Sequence, residues 1–274
     1  MNRSTALTWA SRQLNSSTSP ALDAEVLLAS VLNLSRTKLL TDLNQNINLF
    51  DFWRLKYVIN KRTKGMPVAY LTHNKEFYGR KFLVNKHTLI PRPETELLIE
   101  KTIGTIRANG SIKTVADIGT GSGCLAITLA LELPLIKITA TDISPSAIKV
   151  ARRNACVYKV ANRIDFKHGD LLSPLKSEKI DLIIANLPYV KKTEYDANPE
   201  LKYEPASALL EQPGLFEKFC QQIAQNTKIE FILLETSPLV LSFWLETIKK
   251  ILPHCLISVF SDLSGNSRLI MIDK

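Results

Sequence analysis

Between Thr114 and Asp142 the chain runs through an apolar stretch, a glycine turn, an apolar helix and a second apolar stretch, and few folds accept that succession. Val115-Ala116-Asp117-Ile118 reads as a buried strand. Gly119-Thr120-Gly121-Ser122-Gly123 follows at once, three of the ten glycines within five residues, and a helix is expected from Cys124 to Leu133. Glycine in that place lets backbone N–H groups approach a ligand closely and permits positive φ. Ile136 to Ala140 gives the next strand, with Asp142 at its end. Ser144 then caps a helix that has Pro145 at its first position. Further strands are expected over Ile164 to His168, Ile180 to Ala185, Ile229 to Leu234, Cys255 to Phe260 and Leu269 to Ile272. Helices over Leu215 to Asn226 and Pro238 to Leu252 fill the gaps. Such alternation predicts an α/β unit: a seven-stranded, mostly parallel sheet, helices on both faces and right-handed crossovers.

The first 65 residues follow a different period. Leu7, Ala10 and Leu14 recur at helical spacing, and Pro20 opens a second helix with Leu22, Val26, Ala29 and Leu32 on one side. A third candidate runs from about Phe50 to Lys64, with Phe52, Leu55, Tyr57, Val58 and Ile59 as its apolar face and Gly65 and Pro67 ending it. This segment holds no cluster of catalytic groups, so binding or positioning is its expected task. Phe77, Tyr78, Phe82 and Val84, broken by Gly79, predict a β-hairpin between the two halves. Ile90-Pro91-Arg92-Pro93-Glu94-Thr95-Glu96 then opens another helix, with Pro93 in its first turn and Glu94 and Glu96 at its positive end.

Bulk properties exclude several classes. The 274 residues are 45% hydrophobic and 22% charged, as in ordinary soluble globular proteins. No apolar run approaches a membrane span and no signal peptide is evident, so a cytoplasmic protein is expected. Cys124, Cys156, Cys220 and Cys255 lie far apart without C-x-x-C pairing, which argues for reduced thiols and against structural zinc; no metal site is expected. The net charge of +9 is compatible with an RNA-containing or acidic partner. The lysines are scattered, however, and direct nucleic-acid binding is not expected.

Chemistry concentrates at the strand ends. An NAD-type fingerprint needs a third glycine or alanine three positions after Gly121, where Cys124 stands. Asp142 ends the second strand of this unit, and Asp170, with Leu171 beside it, follows the third. Carboxylates at successive strand ends of an open α/β sheet mark a ligand crevice. Beyond the buried run Leu182 to Ala185 comes Asn186-Leu187-Pro188-Tyr189. Pro188 ends the strand and biases Leu187 toward extended geometry. The corner offers an amide oxygen, outward carbonyls and a flat ring, which suits a planar NH2 group.

The Asp-x-Gly-x-Gly-x-Gly spacing resembles the first motif of S-adenosylmethionine-dependent methyltransferases. With Glu76-Phe77-Tyr78-Gly79, the Ile90–Glu96 segment, the Asn-x-Pro-Tyr corner, Tyr203-Glu204-Pro205-x-x-Ala208-Leu209 and Asp262-x-x-Gly265-x-x-Arg268, nearly the whole chain is similar to the release-factor glutamine methyltransferases. The resemblance implies a Rossmann-like methyltransferase sheet over 93–274, a linking hairpin over 71–92 and a helical substrate-recognition domain over 1–70. It implies S-adenosylmethionine bound by Asp117, Gly119, Thr120, Gly121, Ser122, Gly123, Asp142, Ile143, Asp170, Leu171 and Asn186. Catalysis falls to Asn186, Leu187, Pro188 and Tyr189. Arg92, Pro93, Glu94, Thr95, Glu204 and Pro205 join them in holding substrate. The implied substrate is the Gly-Gly-Gln glutamine of class-1 peptide chain release factors, the partners of an enzyme expected to act as a monomer.

Three departures bear on the substrate pocket. Leu187 stands where the family usually has proline, Leu210-Glu211-Gln212-Pro213-Gly214 replaces an Asp-Gly-Gly-like turn, and a family glycine is replaced at or near Ser237. Asn-Leu-Pro-Tyr also resembles the corner of ribosomal-RNA adenine dimethyltransferases, so an adenine amine in ribosomal RNA is the alternative target. A cofactor-binding ribosome-assembly factor is a third.

Overall fold

The computed structural model describes residues 1–175, 178–226 and 228–274. The chain divides into two compact units, Met1–Asn74 with Pro199–Tyr203, and Lys75–Asn198 with Glu204–Lys274.

The first unit is helical: α1 (Arg3–Gln13), α2 (Pro20–Val31), α3 (Arg36–Thr41), α4 (Leu49–Thr63) and α5 (Val68–Thr72). Asn2 and Asn48 cap α1 and α4 through their side-chain oxygens, satisfying N–H groups the helices leave free. Ala6, Ala10 and Leu14 pack against Ala24, Leu27 and Leu28 of α2 and Leu55 and Ile59 of α4. The buried face of α2 is therefore Ala24-Leu27-Leu28-Val31, a true i, i+3, i+4, i+7 stripe, while Leu22 of the expected face is exposed. Tyr57 is likewise exposed rather than apolar core, because two positions from Leu55 along a helix is about 200° around it. Arg62 bonds Asp23 at 2.7 Å and Glu200 at 2.6 Å, fastening α2, α4 and the Pro199–Tyr203 segment.

The second unit opens with a hairpin, β1 (Asn74–Phe77) and β2 (Arg80–Leu83), whose two linking residues Tyr78 and Gly79 both have positive φ, as a type I′ turn requires. A single 3-10 turn, Pro93–Thr95, leads into α6 (Glu96–Ala108). Then follow β3 (Thr114–Ile118), α7 (Cys124–Glu132), β4 (Lys137–Asp142), α8 (Pro145–Val157), β5 (Ile164–His168) and β6 (Leu182–Ala185). After two short helices, α9 (Lys192–Ala197) and α10 (Ala206–Leu209), come α11 (Leu215–Gln225), β7 (Phe231–Glu235), α12 (Leu241–Ile251), β8 (Leu256–Ser261) and β9 (Ser267–Asp273).

The seven strands lie in the order β5-β4-β3-β6-β7-β9-β8, parallel except that β9 runs antiparallel to both neighbours. The short, fully buried β6 is held in register by Asp181, whose Oδ2 accepts from Lys113 N–H, Thr114 N–H and the Thr114 hydroxyl at 2.8–2.9 Å. From β3 the chain steps outward through β4 to β5, then returns to place β6 on the other side of β3. That reversal opens a crevice at the carboxyl ends of β3 and β6. Apolar cores fill both faces of the sheet. Among the described residues no helix is long and apolar enough to cross a membrane.

Candidate active site

The glycine turn after β3 takes positive φ at Gly119, Gly121 and Gly123 (77°, 56° and 80°), a backbone path that side-chain-bearing residues resist. Its first two N–H groups are spent internally: Gly119 and Thr120 both donate to the Thr141 carbonyl at 2.9 Å. The glycine spacing predicts amides that face a ligand; these two instead brace the turn against β4, and the glycines contribute open space. Gly121 N–H donates to Asp142 Oδ2 and Ser144 N–H to Asp142 Oδ1, both at 2.8 Å. Asp142 is thereby fixed at the end of β4, facing the crevice.

Asp117 lies beneath the turn, fully buried. Its Oδ2 accepts from the Thr120 hydroxyl at 2.6 Å and Ala126 N–H at 3.2 Å, whereas Oδ1 has no partner. Burial pushes this carboxyl up to about 7; the two hydrogen bonds oppose the shift and the nearby Asp142 charge adds to it. Asp142 is raised too, by burial, against the Ser144 and Gly121 N–H groups. Ser122 and Gly123 sit below the cavity floor: the Ser122 carbonyl accepts from Asn154 Nδ2 at 2.8 Å, and a Cβ on Gly123 would come within 3.0 Å of Ala151.

A cavity of about 520 Å³ opens above the turn. Gly119, Gly121, Asp142 and Ile143 line one side, and Asp170 and Leu171 follow from the end of β5. Leu171 adopts a left-handed φ of 50°, an uncommon strain for a leucine, and Asp170 is ion-paired with Lys218. Asn186, Leu187, Pro188 and Pro205 close the opposite wall. A second cavity of about 380 Å³ adjoins at Leu187 and Pro188, walled by Phe216, Phe243 and Trp244.

Thr120, Ser122, Gly123, Asp117, Arg92, Pro93, Glu94, Thr95, Tyr189 and Glu204 do not line the larger cavity. Two of them bond residues that do, Thr120 N–H to the Thr141 carbonyl and Thr95 to Asn186. Glu204, buried, accepts from Ile90 N–H at 2.9 Å and Arg92 at 2.5 Å, so it clamps the proline-rich segment. Glu96 accepts from Tyr78 N–H at 2.8 Å, tying that segment to the hairpin. Asn186 donates from Nδ2 to Thr95 Oγ1 at 3.4 Å, which leaves Oδ1 on the other side of the amide. Tyr189 donates its hydroxyl to Glu235 Oε1 at 3.0 Å and meets Trp244 edge-on, with Trp244 stacked on Phe216 at 4.1 Å. Burial and the Glu235 charge raise the Tyr189 hydroxyl well above the ordinary phenol range.

Sequence reasoning missed Lys86, His87, Thr88 and Leu89, which line the cavity from the loop after β2. It also missed Asn154, whose side chain grips both the N–H and the carbonyl of Leu83 as well as the Ser122 carbonyl. A lone asparagine inside a helix carries no motif that would have singled it out.

Residues 5–72 match the family model described as the PrmC N-terminal domain, and residues 94–223 match the methyltransferase small domain. The release factor glutamine methyltransferase of Dictyoglomus turgidum is 38% identical over 263 residues, covering 92% of this chain and 90% of that protein. This chain belongs to the release factor glutamine methyltransferase family. The family's member from Chlorobaculum tepidum is 39% identical, with 75% of this chain and 72% of that one covered. A bifunctional methyltransferase of Rickettsia typhi is 38% identical over 76% of this chain, which spans only 44% of that longer protein. Among solved structures, the hMettl16 catalytic domain, determined with the MAT2A 3'UTR hairpin 6, aligns with a TM-score of 0.56 at 14% identity, covering 80% of this chain and 91% of that one. That likeness is one of fold. S-adenosylmethionine is the cofactor of a methyltransferase domain of this family. The cavity suits it: the volume is that of a small-molecule site, the walls at Leu171, Ile143 and Leu187 are apolar, Asp142 stands at a strand end, and the unpartnered buried Asp117 Oδ1 favours a nearby cation.

Proposed function

We propose that the chain methylates the side-chain amide nitrogen of the glutamine in the Gly-Gly-Gln motif of class-1 peptide chain release factors. One observation carries the reading: Asn186, at the lip of the cofactor cavity, has its NH2 turned to Thr95, so its Oδ1 is free to accept. Bound S-adenosylmethionine supplies an electrophilic methyl on a sulfonium.

An amide nitrogen is a weak nucleophile, because its lone pair is delocalised into the carbonyl. Asn186 Oδ1 and the Leu187 carbonyl accept its two hydrogens. Positive charge grows on nitrogen as it attacks, so both bonds strengthen toward the transition state, and the gain appears in rate rather than in ground-state binding. Tyr189 keeps the amide plane in line for attack. No strong base is required, since an N-protonated amide is very acidic and loses its proton to water. Asp142 takes the ribose hydroxyls, Asp170 and Leu171 with Ile143 the adenine end, and the space over Gly119 and Gly121 the remainder of the cofactor. Arg92, Pro93, Glu94 and Thr95, held through Arg92 and Ile90 by Glu204, order the entrance, with Pro205 in the cavity wall.

The helical unit docks the release factor, and the enzyme works as a cytoplasmic monomer. Transfer of labelled methyl decides the substrate: incorporation at the Gly-Gly-Gln glutamine of a release factor is expected, whereas labelling of ribosomal RNA alone would overturn the reading.

A further inference from the structure

Glu235 closes β7 beside the corner. Ala185 is registered with Leu234, so Asn186 and Glu235 leave the sheet side by side. Glu235 is 2% exposed. Its Oε1 accepts the Tyr189 hydroxyl at 3.0 Å, and its Oε2 has no formed hydrogen bond. The Thr95 hydroxyl lies beside the carboxyl, near enough to influence its acidity, and Thr95 Oγ1 receives Asn186 Nδ2. Both side chains assigned to grip the substrate amide thus converge on one buried acid.

A carboxylate only accepts, whereas a threonine hydroxyl has one proton to give. Where Glu235 is ionised, the neighbouring Thr95 hydroxyl turns its proton toward the acid and keeps its lone pairs for the Asn186 NH2. We infer that Glu235 is a positioning residue: its ionised carboxylate sets the direction of hydrogen bonding through Thr95 to Asn186, and it holds Tyr189 by the hydroxyl, so that the Asn186 acceptor and the Tyr189 ring meet the substrate amide together. This rests on the substrate reading given above. When Glu235 takes up a proton, Oε2–H donates to Thr95, whose own proton is then released toward Asn186 Oδ1 and turns the amide. Burial raises Glu235 above the usual carboxylate range; Thr95, Tyr189 and Arg268 oppose the shift, and Glu94 adds to it. Arg268 is itself steadied by Asp262 at 3.0 Å, which gives the Asp262-x-x-Gly265-x-x-Arg268 motif a place in the same arrangement.

The full-length enzyme with Glu235→Gln, a near-isosteric change, tests this. With a Gly-Gly-Gln peptide, kcat is expected to fall about 10-fold or more, while affinity for S-adenosylhomocysteine stays within about 3-fold. The acid limb of the wild-type kcat profile should vanish in the variant. Thr95→Val should behave like Glu235→Gln, and Thr95→Ser should rescue. An undiminished kcat or a retained acid limb in Glu235→Gln would overturn the role. A second readout needs no turnover: the Asn186 side-chain ¹⁵NH2 signals should move with pH in the wild type and stay flat in Glu235→Gln. Signals that move alike in both proteins, or in neither, would also overturn it. Failure of the wild type to methylate the peptide would remove the substrate reading instead, and the nuclear magnetic resonance comparison would still decide on Glu235.

Discussion

Arg92 donates to Glu204 Oε1 at 2.5 Å while the second oxygen of the same carboxylate takes Ile90 N–H at 2.9 Å, joining segments 112 residues apart. Glu204 is buried and Arg92 is about a third exposed, so the carboxylate depends on its two donors more than Arg92 depends on it. Glu204→Ala strands a buried N–H and frees the proline-rich segment, and should cost about 2 kcal/mol of stability. Thermal unfolding measures it. Glu204→Gln, which keeps an acceptor for Ile90, should recover part of the loss.

Under the proposed mechanism Asn186 bears on chemistry rather than on folding. Asn186→Ala removes an acceptor whose bond strengthens as the amide nitrogen attacks, so turnover should drop about 100-fold or more with cofactor affinity unchanged within a few-fold. Single-turnover methyl transfer and calorimetry with S-adenosylhomocysteine separate the two effects. Turnover equal to wild type would remove the mechanism.

The contrast between these two residues shows what the sequence could carry. Strands β3, β6 and β7 are legible because buried apolar runs bounded by glycine, proline and asparagine have few other readings, β8 is legible as an apolar run although it is mostly exposed, and the Asn186–Tyr189 corner follows from the last of β6 and Pro188. The faces of α2 and α4 are not, because several apolar stripes compete on each helix and only the neighbours choose one; small Ala24, not Leu22, is what lets α1 approach. Glu204 and Asn154 lie deepest in this respect. Their partners are set by a return of the chain after 112 and 71 residues, which no local pattern encodes.

Asp117 predicts a pH dependence. Its folded-state value near 7 lies above the ordinary 3.8, so the ligand-free fold binds that proton more tightly than the unfolded chain. Its contribution to stability is therefore full below about pH 4 and is lost as pH rises to about 7. Cofactor binding runs the other way. An ammonium near the unpartnered Oδ1 favours the ionised acid, so affinity for S-adenosylhomocysteine should increase as pH rises from about 5.5 to about 8, with one proton released on binding at the acid end. Calorimetry in buffers of different ionisation enthalpy counts that proton. Asp117→Asn should flatten the profile; a slope that survives would assign it to Asp142, which is raised as well.

The exposed face of α4 predicts how the substrate protein is recognised. Phe50, Trp53 and Tyr57, spaced i, i+3, i+7, are 71%, 67% and 59% exposed, far more than large aromatic side chains usually are on an unpartnered helix. Cations accompany each ring: Arg54 lies 5.9 Å from the centre of Phe50, Lys56 5.1 Å from Trp53, and Lys61 4.7 Å from Tyr57. Such a surface suits a protein partner with an apolar patch rimmed by acids, and aromatic anchors of this kind dominate interface energies. The double substitution Trp53→Ala, Tyr57→Ala removes no buried contact of the helical core, which α4 builds from Leu55 and Ile59. It should therefore leave the melting temperature and the kcat on a short Gly-Gly-Gln peptide near wild type, and raise KM for an intact release factor about 10-fold or more. Equal losses on peptide and intact protein would show that the face serves the enzyme's own structure, and no loss on either would place the docking surface elsewhere.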